Sequence, residues 1–255
     1  MPHELIEVAA TTGYRAVCLF LESMDVLPRM PRFSLVDDRA ARREAKVRMT
    51  DLGISLDLAY PFTLAGRTEV RDFKPSLEAA ADLDARFVNV LMYDRDPERR
   101  LERLAQFCAL ATSFDLGVVV EFFPASQIPS LTTAAAQLRA LDGGDTIGIN
   151  VDLLHLYRSG GDIAQLAATS PEHILYAQYC DAPLQRDAAQ HAYEASSDRM
   201  LAGDGALDLR GFSQALPPNC LASIELPRDA AIDRGLSQQD RARAALSSVL
   251  RAIER

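Results

Sequence analysis

Leu116-Gly117-Val118-Val119-Val120-Glu121 is an apolar run that ends on a single potential metal ligand, and the same design recurs three times further along the chain. The other copies are Ile147-Gly148-Ile149-Asn150-Val151-Asp152, Ile174-Leu175-Tyr176-Ala177-Gln178 and Leu221-Ala222-Ser223-Ile224-Glu225. Strands buried on both faces read as continuous apolar runs, and in a barrel of parallel strands every carboxyl end opens on the face where active sites are built. One acid after a strand is equally well explained as a helix cap or turn former. Four ligand-type residues in the same place, followed by further polar groups, are better explained by one shared site.

Outward from these four runs the pattern continues. Strand-like segments precede them at Ala16 to Leu21, Ile54 to Ala59 and Phe87 to Met92. Amphipathic segments of helical period lie between: Val36 to Leu52 behind Ser34 as N-cap, Pro97 to Phe114 opening on proline, and Ser237 to Ile253 opening on Ser237-x-x-Asp240. Strand followed by helix throughout implies an α/β fold with a parallel sheet and right-handed crossovers. The expected architecture is a (β/α)8 TIM barrel forming a single domain over residues 1–255. Only seven strands are readable, and the chain opens on a helical pattern, Pro2 to Thr12, stopped by Gly13, so the first strand of such a barrel is missing or truncated, leaving the barrel open there, or else it lies upstream of residue 1. Two long connections, Glu22 to Leu35 and Ala182 to Gly205, are placed to act as lids or substrate walls.

Composition narrows the partners. The chain has 255 residues, 48% of them hydrophobic and 25% charged, as in an ordinary globular protein with a sizeable core. A net charge of -9, with lysine only at Lys46 and Lys74, argues against binding nucleic-acid backbones; Arg42-Arg43 and Arg99-Arg100 read as solvated helix faces. Cys18, Cys108, Cys180 and Cys220 are far apart with no CxxC, which suits a reducing compartment. No segment approaches the roughly 20 apolar residues that span a bilayer, and Met1-Pro2-His3-Glu4 lacks the basic start of a signal peptide. The expectation is a cytoplasmic protein with a small-molecule substrate, no nucleic-acid or membrane partner, and an apolar sheet edge that a second copy in a homo-oligomer would cover.

The motifs Glu121-Phe122-Phe123-Pro124, Asp152-Leu153-Leu154-His155 with Arg158-Ser159-Gly160-Gly161, Gln178-Tyr179-Cys180-Asp181, Gly203-Asp204-Gly205 and Glu225-Leu226-Pro227, in this order, resemble the sugar phosphate isomerase/epimerase family, whose fold is the xylose isomerase-like TIM barrel. The resemblance extends from about Gly13 to Ile253. It implies a divalent cation held by Glu121, Asp152, Gln178 and Glu225, although many members carry His where this chain has Gln178. Three carboxylates and an amide oxygen form an all-oxygen shell, which suits Mn2+ or Mg2+ better than Zn2+ or Co2+. The resemblance also makes His155 a substrate contact; capping of the following helix is the simpler alternative. Arg158 offers a planar fork to a substrate carboxylate or phosphate, or to a surface salt bridge. Arg199, in the second long connection, is a further candidate for substrate binding. Asn89 is either a satisfied core amide or a pocket wall, and Asp181 is placed to orient a neighbouring ligand. Gly203 and Gly205 read as a plain turn.

The chemistry implied is proton abstraction next to a carbonyl, through an enediolate, with Glu121 and Glu225 as bases and His155 close to the reacting atoms. Return of the proton on the opposite face is epimerisation; return at the adjacent carbon is aldose-ketose isomerisation. The first expectation is therefore a metal-dependent isomerase or epimerase of a sugar or polyol-type substrate in carbohydrate metabolism. The alternative is a lyase or dehydratase of a keto-polyol or cyclic keto acid, encouraged by Gln178, since dehydratases of that superfamily can carry Gln there. A non-catalytic small-molecule-binding barrel is a third reading, which intact ligands disfavour. A DNA-repair endonuclease is disfavoured by only 4 His and by the negative charge.

Overall fold

The computed structural model describes residues 1–27, 29–141 and 146–254. These residues contain seven strands: β1 (Ala16–Phe20), β2 (Ser55–Leu64), β3 (Phe87–Met92) and β4 (Gly117–Glu121), which pair in chain order and in parallel, and β5 (Ile147–Asp152), β6 (Ile174–Tyr179) and β7 (Leu221–Ile224), which do the same. Helices alternate with them. The chain divides into two compact units, Met1–Val120 with Gln137–Ile147, and Glu121–Ala136 with Gly148–Arg255. No helix among the described residues is long and apolar enough to cross a membrane.

In the first unit α1 (Pro2–Thr12) ends on Gly13 in the left-handed region at φ 95°, as its sequence requires, and packs on α2 (Arg39–Leu52). The N-cap of α2 is Asp38, which accepts from the N–H groups of Ala40 and Ala41. Ser34 was the expected cap, but its hydroxyl accepts from Asp37 N–H at 2.9 Å, forming a local turn that delays the helix. The second strand is also longer than its apolar run. It continues through Pro61 to Leu64, with a register shift against β3 between Ala59 and Phe62 that accommodates a residue lacking a donor. Phe62 of β2, Phe73 and Phe107 of the helix Pro97–Thr112 form a cluster with centroids 5.3–5.6 Å apart. Val118, Val119 and Val120 of β4 are fully buried, each contributing about 1.5–3 kcal/mol of transfer free energy. That burial on both faces is why the run shows no alternation.

In the second unit β5, β6 and β7 pair in order, with Asp152 in register with Gln178, and Gln178 with Ser223. Asp152 is the N-cap of a short helix, Leu153–Arg158, and a longer one, Gln238–Glu254, packs on Leu209–Ala215. The N-cap half of the expected capping box starts the long helix: Ser237 Oγ accepts from Asp240 N–H at 3.1 Å, while the Asp240 carboxylate accepts from the Ser237 hydroxyl at 2.7 Å. The four cysteines are free thiols.

Candidate metal and acid-base site

Asp152, fully buried at the end of β5, uses its two oxygens differently. Oδ1 accepts from the His155 N–H at 2.9 Å, so the capping reading is correct. Oδ2 accepts from Arg199 Nη1 at 2.5 Å. Arg199 Nη2 lies 3.2 Å from Glu225 Oε2. On the other side His155 Nε2 is 3.5 Å from Glu121 Oε1, and its Nδ1 is 3.9 Å from Asp152 Oδ1. Glu121, His155, Asp152, Arg199 and Glu225 therefore form one continuous polar chain across three strand ends. Gln178 joins through its register with Asp152, and its Oε1 accepts from Asn150 Nδ2 at 2.7 Å.

Backbone bonds position each member. Glu225 N–H donates to Tyr179 O at 3.0 Å, tying the end of β7 to β6. Arg199 is delivered by the long connection, whose Met200 exchanges two backbone bonds with Asp181 at 2.8 and 3.0 Å, while Arg199 N–H donates to Pro227 O at 3.1 Å. The Asp181 carboxylate holds that connection rather than a metal ligand. Its Oδ1 accepts from the N–H groups of Ala182 and Leu207, and its Oδ2 from those of Gly203 and Gly205. The two glycines are needed here: Gly203 sits at φ +89°, and a Cβ on Gly205 would lie 2.3 Å from Asp181 Oδ1.

Burial alone would raise the Asp152 carboxyl pKa, but Arg199, with smaller help from His155 and the two hydrogen bonds, overrides it and holds the group below the usual range. Glu225 goes the other way, because burial and the Asp152 charge outweigh Arg199. Although the Glu225 side chain is 36% exposed, its Oε2 is buried and makes no hydrogen bond beyond the ion contact with Arg199. Burial pushes the His155 imidazole down to about 4 against the pull of Asp152, so it is neutral near pH 7. Its ring stacks at 4.8 Å on Phe123.

The remaining candidates lie elsewhere. The Arg158 guanidinium grips buried Glu194 through two bonds of 2.7 and 2.8 Å and donates to the carbonyls of Pro183 and Leu184, strapping the long connection to the helix that follows β5. Asn89 belongs to the first unit, buried on β3 in register with Val119. Asn150 was not singled out from the sequence; an amide inside an Ile/Val run was the available signal.

Among the described residues no three His, Cys, Asp or Glu side chains are gathered as a metal centre. The fourth candidate is an amide, and a guanidinium bridges two of the carboxylates. The donors nevertheless fit a hard cation. They are all oxygens, they stand at strand ends of one unit, and Glu225 Oε2 is a buried carboxylate oxygen short of hydrogen bonds.

A family model described as xylose isomerase-like TIM barrel matches residues 6–252. The chain belongs to that family. Its fold is that of solved xylose isomerase-like barrels. The IolI protein, whose structure has a bound zinc atom, is 17% identical with TM-score 0.80, over 98% of this chain and 92% of that one. D-psicose 3-epimerase from Clostridium cellulolyticum H10 is 15% identical with TM-score 0.73, over 98% and 93%. The probable 3-DHS dehydratase AsbF from Bacillus anthracis is 14% identical with TM-score 0.74, over 97% and 92%. No curated protein matches the sequence. Identities this low establish the fold and leave the chemistry to the site.

Proposed function

We propose that this xylose isomerase-like barrel is a divalent-metal-dependent isomerase or epimerase acting on a sugar or polyol-type substrate by proton abstraction next to a carbonyl, through an enediolate. The supporting observation is the chain Glu121, His155, Asp152, Arg199, Glu225, in which one guanidinium bridges Asp152 and Glu225 while a neutral imidazole links Asp152 to Glu121. Glu121, Asp152, Gln178 and Glu225 would hold Mn2+ or Mg2+, which supplies Lewis-acid polarisation of the substrate carbonyl. Glu121 or Glu225 takes the proton, since each is a carboxylate at a strand end and the two belong to different strands. Asp152 remains ionised beside Arg199 and does not compete for the proton. His155, neutral and 3.5 Å from Glu121, can accept or donate a hydrogen bond to a substrate hydroxyl without adding charge.

A second reading, dehydration of a keto-polyol or cyclic keto acid, is favoured by Gln178, whose amide oxygen replaces the commoner imidazole of this family. Both readings share the first step and differ in what leaves. The experiment is incubation in D2O with Mn2+ and a panel of ketoses, aldoses and cyclic keto acids, followed by NMR and mass spectrometry. Deuterium entry at a carbon beside the carbonyl with the carbon skeleton and oxygens retained supports isomerisation or epimerisation; loss of water selects the dehydratase. Glu121→Gln and Glu225→Gln should abolish exchange, because an amide keeps a ligand oxygen and loses basicity. Undiminished exchange in both variants would remove these carboxylates as bases.

A further inference from the structure

Arg199 is a buried cation held directly against two of the four residues proposed to bind a metal. Its side chain is 2% exposed and its donors are all directed inward. Nε donates to Ala195 O at 3.0 Å, and Nη1 to Asp152 Oδ2 at 2.5 Å, with longer contacts from Nη1 to Glu225 O at 3.3 Å and Cys180 Sγ at 3.5 Å. Its backbone neighbours are pinned as well, by the Asp181–Met200 exchange and the bond to Pro227. The guanidinium is therefore part of the site's built frame, and a substrate would meet it with its donors already engaged.

The charges decide what it does. The Arg199 guanidinium stands 2.5 Å from Asp152 Oδ2 and 3.2 Å from Glu225 Oε2, so a cation held by those oxygens would bind beside a fixed positive charge. We infer that Arg199 is an internal counter-cation fixed beside this site, so that it weakens metal binding overall and discriminates against trivalent ions. This rests on the metal reading proposed above. The physical basis is Coulombic: a fixed positive charge repels a bound cation in proportion to that cation's charge, and does so strongly where water is excluded.

The test is metal titration of the full chain. Free Mn2+ is followed by its EPR signal for the wild type, Arg199→Met and Arg199→Lys, and La3+ is then added as competitor. Arg199→Met should bind Mn2+ at least tenfold more tightly. Because the repulsion removed scales with ion charge, its gain for La3+ should be about thirtyfold when that for Mn2+ is tenfold. Arg199→Lys, which keeps the charge without the fork, should stay near the wild type. If Arg199→Met is unfolded by circular dichroism, Arg199→Gln serves with the same expectation. A folded neutral variant that binds Mn2+ no more tightly than the wild type, or gains equally for both ions, overturns the counter-cation role and makes Arg199 a shape-keeping residue. Absence of Mn2+ binding in the folded wild type overturns the metal reading itself, and this inference with it.

Discussion

Two buried aspartates at the ends of strands, one in each unit, are both gripped by arginine, yet only one belongs to the candidate site. Asp94, two residues beyond β3, receives Arg99 through bonds of 2.7 and 2.6 Å and Arg103 at 2.7 Å, while Arg100 donates to its carbonyl. There one carboxylate is surrounded by an excess of positive charge, and Arg103 also binds the Ala65 carbonyl. The cluster clamps loops together and needs nothing more. Asp152 shares one guanidinium with Glu225 and is linked to Glu121 through His155, so carboxylates outnumber the guanidinium. Proximity of acid and arginine is common to both. The surplus of arginine over carboxylate at Asp94, and its reverse at Asp152, separates a structural clamp from the site proposed above to hold a cation.

The strongest way to break this comparison is Asp152→Asn. It leaves Arg199 buried with half its partners, a loss of about 3–5 kcal/mol in urea unfolding, and it should also eliminate Mn2+ binding. Retained Mn2+ affinity would show that Asp152 serves only the helix cap. The matching substitution, Asp94→Asn, should lower stability while leaving Mn2+ affinity and deuterium exchange unchanged; a change in either would join the two clusters functionally.

The acid limb sharpens the contrast. Hydrogen bonding from Arg99, followed by that from Asp96 N–H and the nearby arginine charges, holds the Asp94 carboxyl at about 2 despite burial, below the roughly 3.9 of an unfolded aspartate. A folded pKa depressed in this way gives stability that is complete above about pH 4 and is lost as pH falls toward 2. Stability measured from pH 6 to 2.5 should therefore fall less steeply in Asp94→Asn than in the wild type. Equal slopes would mean that the clamp carries no proton linkage.

A smaller effect is expected at Gln178. Replacement by His should raise affinity for Zn2+ relative to Mn2+, since it puts a nitrogen into an oxygen shell. Asn150→Leu, which removes the donor that fixes the amide, should weaken Mn2+ binding by about 3–10-fold, nearer the low end of what an outer partner contributes. An unchanged Zn2+/Mn2+ ratio in Gln178→His would remove position 178 from the ligand set.

The four strand-end residues were legible because each closes an apolar run, and such runs need only local sequence to be seen. Arg199 was legible merely as a basic residue in a long connection. Its partner Asp152 is 47 positions away and nothing local records the pairing. Arg158 and Glu194, 36 positions apart, are hidden for the same reason. Asn150 was masked by its apolar neighbours, whose strand pattern it did not interrupt. Boundaries failed where two local solutions competed, since Ser34 and Asp38 could each cap a helix, and where the apolar run to Ala59 gave no sign of the strand's continuation past the register shift that follows it.

The most direct measurement is anomalous diffraction from crystals of the full chain grown with Mn2+. The account predicts one strong peak in the second unit, with oxygens of Glu121, Asp152, Gln178 and Glu225 about 2.0–2.6 Å away. No peak at saturating Mn2+, or a peak coordinated by other residues, would contradict it.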